Sequence, residues 1–131
     1  PVMKKYLSAL SCSVLMIMTV VSLKAGAAEH PFAHQVSPEY YSVLLENERV
    51  RVLQMVLPPG AKDRVHRHDA ETVYFKQGGQ LTITLPDGTA NTVDIEDGFV
   101  MWHDAWVHQV TNSGNQDVIA IIVEQKLSVR K

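Results

Sequence analysis

Gln80-Leu81-Thr82-Ile83-Thr84-Leu85-Pro86-Asp87-Gly88 decides how the rest of the chain is read. Leu81, Ile83 and Leu85 alternate with Gln80, Thr82 and Thr84, the period of two that gives a strand one apolar and one wet face. Pro86-Asp87-Gly88 is a tight-turn signal, so residues 92–96 are expected to return as a hairpin partner with Val93 and Ile95 inward. Asp97-Gly98 turns the chain again.

The same grammar extends in both directions. Residues 41–46 and 50–57 are rich in β-branched and aliphatic side chains, and Pro58-Pro59-Gly60 stops the second run. A further strand is expected to begin near Arg64. Residues 118–125 are almost wholly apolar, which predicts a strand buried on both sides or placed at a subunit contact. Short strands cut by turns at close intervals, without helical periodicity, predict an all-β sandwich or barrel. At 131 residues the chain has room for one such domain.

The first residues are of another kind. Met3, Lys4 and Lys5 precede 18 uncharged residues from position 6 to 23, and Lys24 then leads into Ala25, Gly26, Ala27 and Ala28. This pattern predicts an export signal over residues 1–28, cleaved after Ala27 or Ala28, and so a periplasmic or secreted protein. The rival reading keeps the segment as a membrane anchor, since roughly 20 residues cross a bilayer; the small-residue run favours cleavage and no stable anchor. Residues 29–40 would then be an arm, 41–125 the β domain and 126–131 a tail.

Cys12, the one cysteine, lies in the apolar run without a convincing lipobox around it, so the mature part has no thiol for a disulfide, a metal or a nucleophile. Removing residues 1–28 takes away three lysines and leaves nine basic against fourteen acidic residues, a net charge of about −5. Nucleic acid is not expected as a partner on this balance, there being no basic stripe after residue 28. A Gly-x-Ser-x-Gly run and phosphate-binding glycine motifs are both missing.

His66 and His68 are one residue apart, so in a strand both imidazoles leave the same face. Two neutral imidazoles buried side by side are costly without a shared partner, and a divalent ion is the natural one. Glu71 follows, and His108 stands later between Trp106-Val107 and Gln109-Val110. Gly60-x5-His66-x-His68-x2-Glu71-x6-Gly78 resembles the first motif of the cupin superfamily, and Gly98-x5-Asp104-x3-His108-x3-Asn112 resembles its second. The likeness covers roughly residues 41–125 and is to the small single-domain (type-2) cupins.

That resemblance implies an antiparallel double-sheet β-barrel of the jelly-roll type, holding one divalent transition metal (Fe, Mn, Zn, Ni or Cu) on His66, His68, His108 and Glu71. The family leaves three or four residues between its second His and its Glu, where this chain has only Asp69 and Ala70, and Asp104 replaces a usual Pro. The short gap leaves Glu71 either a fourth ligand, able to leave the metal and serve as a catalytic base, or a solvated carboxylate at a strand start. His103 reads as a rim group or a surface histidine, and Asp104 as a buttress for an imidazole or a turn cap. Tyr74, Phe75, Phe99, Met101, Trp102 and Trp106 are candidates for an apolar pocket, or for plain core. His30 and His34 read as an adventitious metal site or as plain exposed arm residues.

Three functions fit. The first is a metal-dependent enzyme acting on a small organic substrate, dioxygenase-like or else an isomerase or lyase; the second is a non-catalytic module that binds a metal or small ligand. The third is a metal-free barrel serving subunit contacts. A homodimer is expected in any of these.

Overall fold

Alternation of apolar and polar side chains builds two antiparallel sheets, described by a computed structural model over residues 30–127. The segment read as an export signal and the end of the tail lie outside the described residues. The strands are β1 (Tyr41–Glu46), β2 (Val50–Leu57), β3 (His66–His68), β4 (Ala70–Gln77), β5 (Gly79–Thr84), β6 (Ala90–Ile95), β7 (Val100–His103), β8 (Trp106–Asn112) and β9 (Val118–Gln125). One sheet has five strands in the order β1-β2-β9-β4-β7 and the other four in the order β3-β8-β5-β6. Non-sequential neighbours in both sheets make this a jelly-roll arrangement rather than a meander. Among the described residues no helix is long and apolar enough to cross a membrane.

β5 and β6 form the expected hairpin, Leu81 opposite Val93 and Gly79 opposite Ile95. Its turn is closed by Gly88 N–H donating to the Leu85 carbonyl at 2.9 Å, and Gly88 takes a φ of 89° that side chains rarely adopt. Gly78, the glycine of the first motif, is required for a different reason: a Cβ there would run into the Ile95 carbonyl. The buried faces of β2, β4, β5, β8 and β9 supply Leu53, Met55, Leu57, Val73, Phe75, Leu81, Val110, Val118, Ala120 and Ile122, which form one core cluster between the sheets.

β9 is the centre of the five-stranded sheet, but the expectation of burial on both faces is only half met. Val118, Ala120, Ile122 and Glu124 are buried, while Ile119, Ile121 and Val123 on the outer face are half-buried, because no layer covers that side among the described residues. The arm is more ordered than an irregular segment. It carries a one-turn helix, α1 (Ala33–Val36), and returns to its own sheet, where the Pro31 carbonyl accepts from Arg67 N–H at 2.9 Å. The Phe32 ring lies 3.7 Å from the Arg67 guanidinium and 4.3 Å from that of Arg51.

Asn112 ties the ends of several strands together. Its buried Nδ2 donates to the Leu57 and Gln116 carbonyls, both at 2.8 Å, and its Oδ1 accepts from Gly114 N–H at 3.0 Å. Alanine at this position would strand three backbone groups, so Asn112→Ala is expected to cost about 3 kcal/mol in chemical denaturation. A loss under about 0.5 kcal/mol would show the network to be idle.

Candidate metal centre and cavity

β3 and β8 pair with His66 directly opposite His108 and His68 opposite Trp106. Opposite residues share a face, as do positions two apart on one strand, so the three imidazoles converge between the sheets. All three are buried, and each offers a nitrogen within 4.8 Å of the others. His66 Nε2 and His68 Nε2 are 3.0 Å apart. Ring centroids are separated by 4.7 to 5.2 Å.

His66 is oriented from behind, with Nδ1–H donating to the Arg64 carbonyl at 2.7 Å, which turns Nε2 toward the other rings. Asp63 Oδ2 lies 3.6 Å from the same Nδ1, while Tyr41 Oη–H donates to Oδ2 at 2.6 Å and Val110 N–H to Oδ1 at 2.7 Å. Burial pushes the Asp63 carboxyl up, with His66 and the Tyr41 bond pulling it back, and burial beside Asp63 pushes the Tyr41 phenol well up. Burial, then the neighbouring histidines, hold His68 and His108 well below the usual imidazole range.

Both ring nitrogens of His108, Nδ1 of His68 and Oε2 of Glu71 are buried without a hydrogen-bond partner. Orphaned buried groups of this kind are rare and costly. A metal ion among the three rings would take one nitrogen of His108 beside Nε2 of His66 and of His68, whereas His68 Nδ1 and Glu71 Oε2 face each other at 3.2 Å. The three histidines therefore could hold a metal ion, as the sequence predicted.

Glu71 stands elsewhere. β3 belongs to the four-stranded sheet and β4 to the five-stranded one, so Asp69 makes the crossing and Glu71 arrives from the opposite wall. Its Oε2 lies 3.2 Å from Nδ1 of His68, the far side of that ring, and its Oε1 accepts from Trp106 Nε1–H at 3.2 Å. It is outside the group of three nitrogens, but it is 2 % exposed and no solvated bystander. Burial, reinforced by Glu124 and opposed by the Trp106 bond, raises its carboxyl to about 8.

Trp106 lies between the rings of His103, at 3.6 Å, and His108, at 4.0 Å. His103 is thus packed at the edge of the site instead of free on the surface, its Nδ1 2.6 Å from the Asp104 carbonyl. Asp104 itself is exposed. Tyr74 and Trp102 are corrections to the expected pocket: they are 45 % and 51 % exposed, because strand alternation turns Val73, Phe75 and Met101 inward and sends these two out.

The imidazoles of His68 and His108, with Glu71 and Trp106, open on a cavity of about 430 Å³. Most of the remaining wall is apolar, with Phe75, Leu81, Phe99, Met101 and Ile122 among its residues, and Asp94 is the one charged group on it besides Glu71. Four buried groups around the site, Asp63, Tyr41, Arg51 and Glu124, were not expected from sequence. A signal existed for Glu124: it is the lone charge in the apolar run, in phase with Ala120 and Ile122.

No family model and no curated protein matches the chain. Solved structures do. A cupin domain from Bordetella pertussis Tohama I is 26% identical, with a TM-score of 0.61 over 75% of this chain and 97% of that one. An RmlC-like cupin family protein with a double-stranded β-helix fold, from Methanocaldococcus jannaschii, is 20% identical, with a TM-score of 0.52 over 65% and 77% of the two chains. A conserved protein with a double-stranded β-helix domain, from Klebsiella pneumoniae subsp. pneumoniae, is 19% identical, with a TM-score of 0.52 over 76% and 86%. Two facing antiparallel sheets agree with the double-stranded β-helix fold of these structures, and by fold the chain is a small single-domain cupin.

Proposed function

We propose that this cupin is a metal-dependent enzyme acting on a small, largely apolar organic molecule that carries one oxygen-bearing head. The reading rests on one observation: two of the three clustered, buried imidazoles, those of His68 and His108, line a cavity of about 430 Å³ whose other walls are mostly hydrocarbon. That volume suits a ligand at the small end of the ordinary range. A divalent ion such as Fe or Mn would supply Lewis acidity and redox chemistry there.

The chain's own residues would do the rest. The apolar walls hold the body of the substrate and exclude water, which strengthens every polar contact at the head. Glu71, with Oε1 fixed by Trp106 and its carboxyl raised to about 8, is the group suited to hold or receive a proton beside the substrate. Dioxygenation is the first reaction class to test, with isomerisation or elimination behind it.

A second reading, a non-catalytic binding module, is favoured by how few other titratable groups the cavity carries. Oxygen uptake and product analysis on the Fe-loaded protein with a panel of small aromatic and aliphatic hydroxy and keto compounds tests the first reading. Thermal shift with the same compounds separates the two: turnover supports an enzyme, and tight binding without turnover supports the module.

A homodimer formed through the outer face of the five-stranded sheet fits both readings. Val52, Ile121, Val123, Tyr74, Val100 and Trp102 lie on that face, and the last two are 57 % and 51 % exposed. These side chains carry no charge, so a second copy can meet the same patch across a two-fold axis without like-charge repulsion, sheet on sheet. Light scattering at micromolar concentration is expected to give a dimer mass, and Ile121→Lys a monomer with unchanged metal content. A wild-type monomer would refute the pairing. The export reading stands beside these as a proposal, and N-terminal sequencing of protein from the periplasmic fraction, expected to start near Glu29, tests it.

A further inference from the structure

The cavity beside the histidines reaches solvent on one side. Among its lining residues Val93, Asp94 and Phe99 are exposed, and the rest are buried or half-buried. Val93 and Phe99, 41 % and 50 % exposed, sit where the two sheets part. β6 pairs only with β5 and β7 only with β4, so each is a sheet edge, and the short turn between them joins the two. The result is an open seam walled by Val93, Ile95, Phe99 and Met101, which leads inward to Phe75, stacked on Phe99 with ring centroids 6.3 Å apart.

The charge around that seam is of one sign. From residue 77 to residue 125, a stretch that holds all of β5 to β9, there is no Lys or Arg, and there are seven Asp and Glu. Three of them, Asp94, Glu96 and Asp97, are exposed at the lip between Val93 and Phe99. The nearest basic residue along the chain is Lys76, which leaves β4 on the outer face, out of phase with Val73 and Phe75. Arg49, Arg51, Lys62, Arg64 and Arg67 belong to β2, β3 and the loops that precede them, across the two sheets from β7 and β6. The lip therefore sets three carboxylates around an apolar opening with no cation on the cavity side, and their field repels an approaching anion and gathers a cation.

Shape and charge together narrow the ligand. A molecule held by its oxygen-bearing head at the imidazoles points its other end to the lip. An apolar or positively charged group is matched there, whereas a carboxylate or phosphate would lose water against hydrocarbon and face like charge. We propose that the seam between β6 and β7 is the entrance to the cavity, and that its acidic lip selects neutral or cationic apolar molecules against anionic ones. This rests on the reading of the cavity as a small-molecule site, which the enzyme and the binding module share.

The test uses three probes of one shape, 4-phenylbutan-1-ol, 4-phenylbutylamine and 4-phenylbutyrate. Each is titrated by calorimetry into the full chain kept metal-free by a chelator, so that no bound ion adds its own charge. At low salt the amine is expected to bind about tenfold or more tightly than the carboxylate, with the alcohol between, because one close pair of charges in water changes affinity roughly fivefold, in opposite senses for the two. In about 0.5 M salt the gap should narrow. Asp94→Lys is expected to raise the ratio of carboxylate to amine affinity about tenfold, a ratio that cancels any loss common to all probes. Glu48→Lys makes the same charge change in the turn between β1 and β2, and should move the ratio by less than about threefold. Should Asp94→Lys not fold, Glu96→Lys in the turn carries the same expectation. Carboxylate bound as tightly as amine by wild type, or a ratio moved equally by Glu48→Lys, would overturn the proposal. Binding of none of the three would sink the small-molecule reading and the proposal with it, whereas binding without charge preference sinks the proposal alone.

Discussion

Replacing His108 by alanine is expected to lower the affinity for a divalent transition ion by more than about a hundredfold, because loss of a partner one step removed from a ligand already costs 10- to 100-fold. The fold should survive. Both ring nitrogens of His108 are buried without partners in the metal-free chain, so removing the ring relieves an uncompensated polar burden even as it opens a void. The signature is therefore a split: metal-free stability close to wild type, and loss of the stabilisation that added metal brings, about 2.7 kcal/mol at a hundredfold excess over Kd. Titration calorimetry and thermal denaturation with and without zinc read the two halves. His108→Ala protein that binds zinc as tightly as wild type would mean that the three imidazoles are a packing feature.

The second large effect is the pH dependence that Glu71 imposes on the metal-free protein. Its carboxyl is raised from 4.5 to about 8 in the folded state, mainly by burial. Between those values the folded chain holds a proton that the unfolded chain has released, so stability falls as pH rises through the window. Glu71→Gln removes this penalty. The variant should gain under about 1 kcal/mol over wild type at pH 5 and about 4 kcal/mol at pH 8. Denaturant titrations in the presence of a chelator, repeated from pH 5 to 8.5, test it; a difference that does not grow with pH would show that Glu71 is ionised throughout. Neighbouring buried carboxylates such as Asp63 titrate in both proteins and drop out of the comparison.

Much of this was legible in the residues themselves. The hairpin of β5 and β6 followed from alternation and a Pro-Asp-Gly turn, and His-x-His on a strand could only send two imidazoles to one face. The position of Glu71 was not legible, since a two-residue gap does not reveal that the chain changes sheets at Asp69. Tyr74 and Trp102 were misplaced because the outer face of the five-stranded sheet is apolar as well, so aromatic character did not mark the inside. The phase of Val73 and Phe75 did. Glu124 was marked only as the one charge in an apolar run whose two faces otherwise look alike.

The central claim is that His66, His68 and His108 hold one metal ion. Anomalous diffraction, recorded at the absorption edge of whichever element is found in protein purified without added metal, tests it most directly. The prediction is a single strong peak per chain enclosed by the three imidazoles, absent in His108→Ala crystals. No peak among those rings in metal-replete wild-type protein, or one confined to His30 and His34 in the arm, would contradict it.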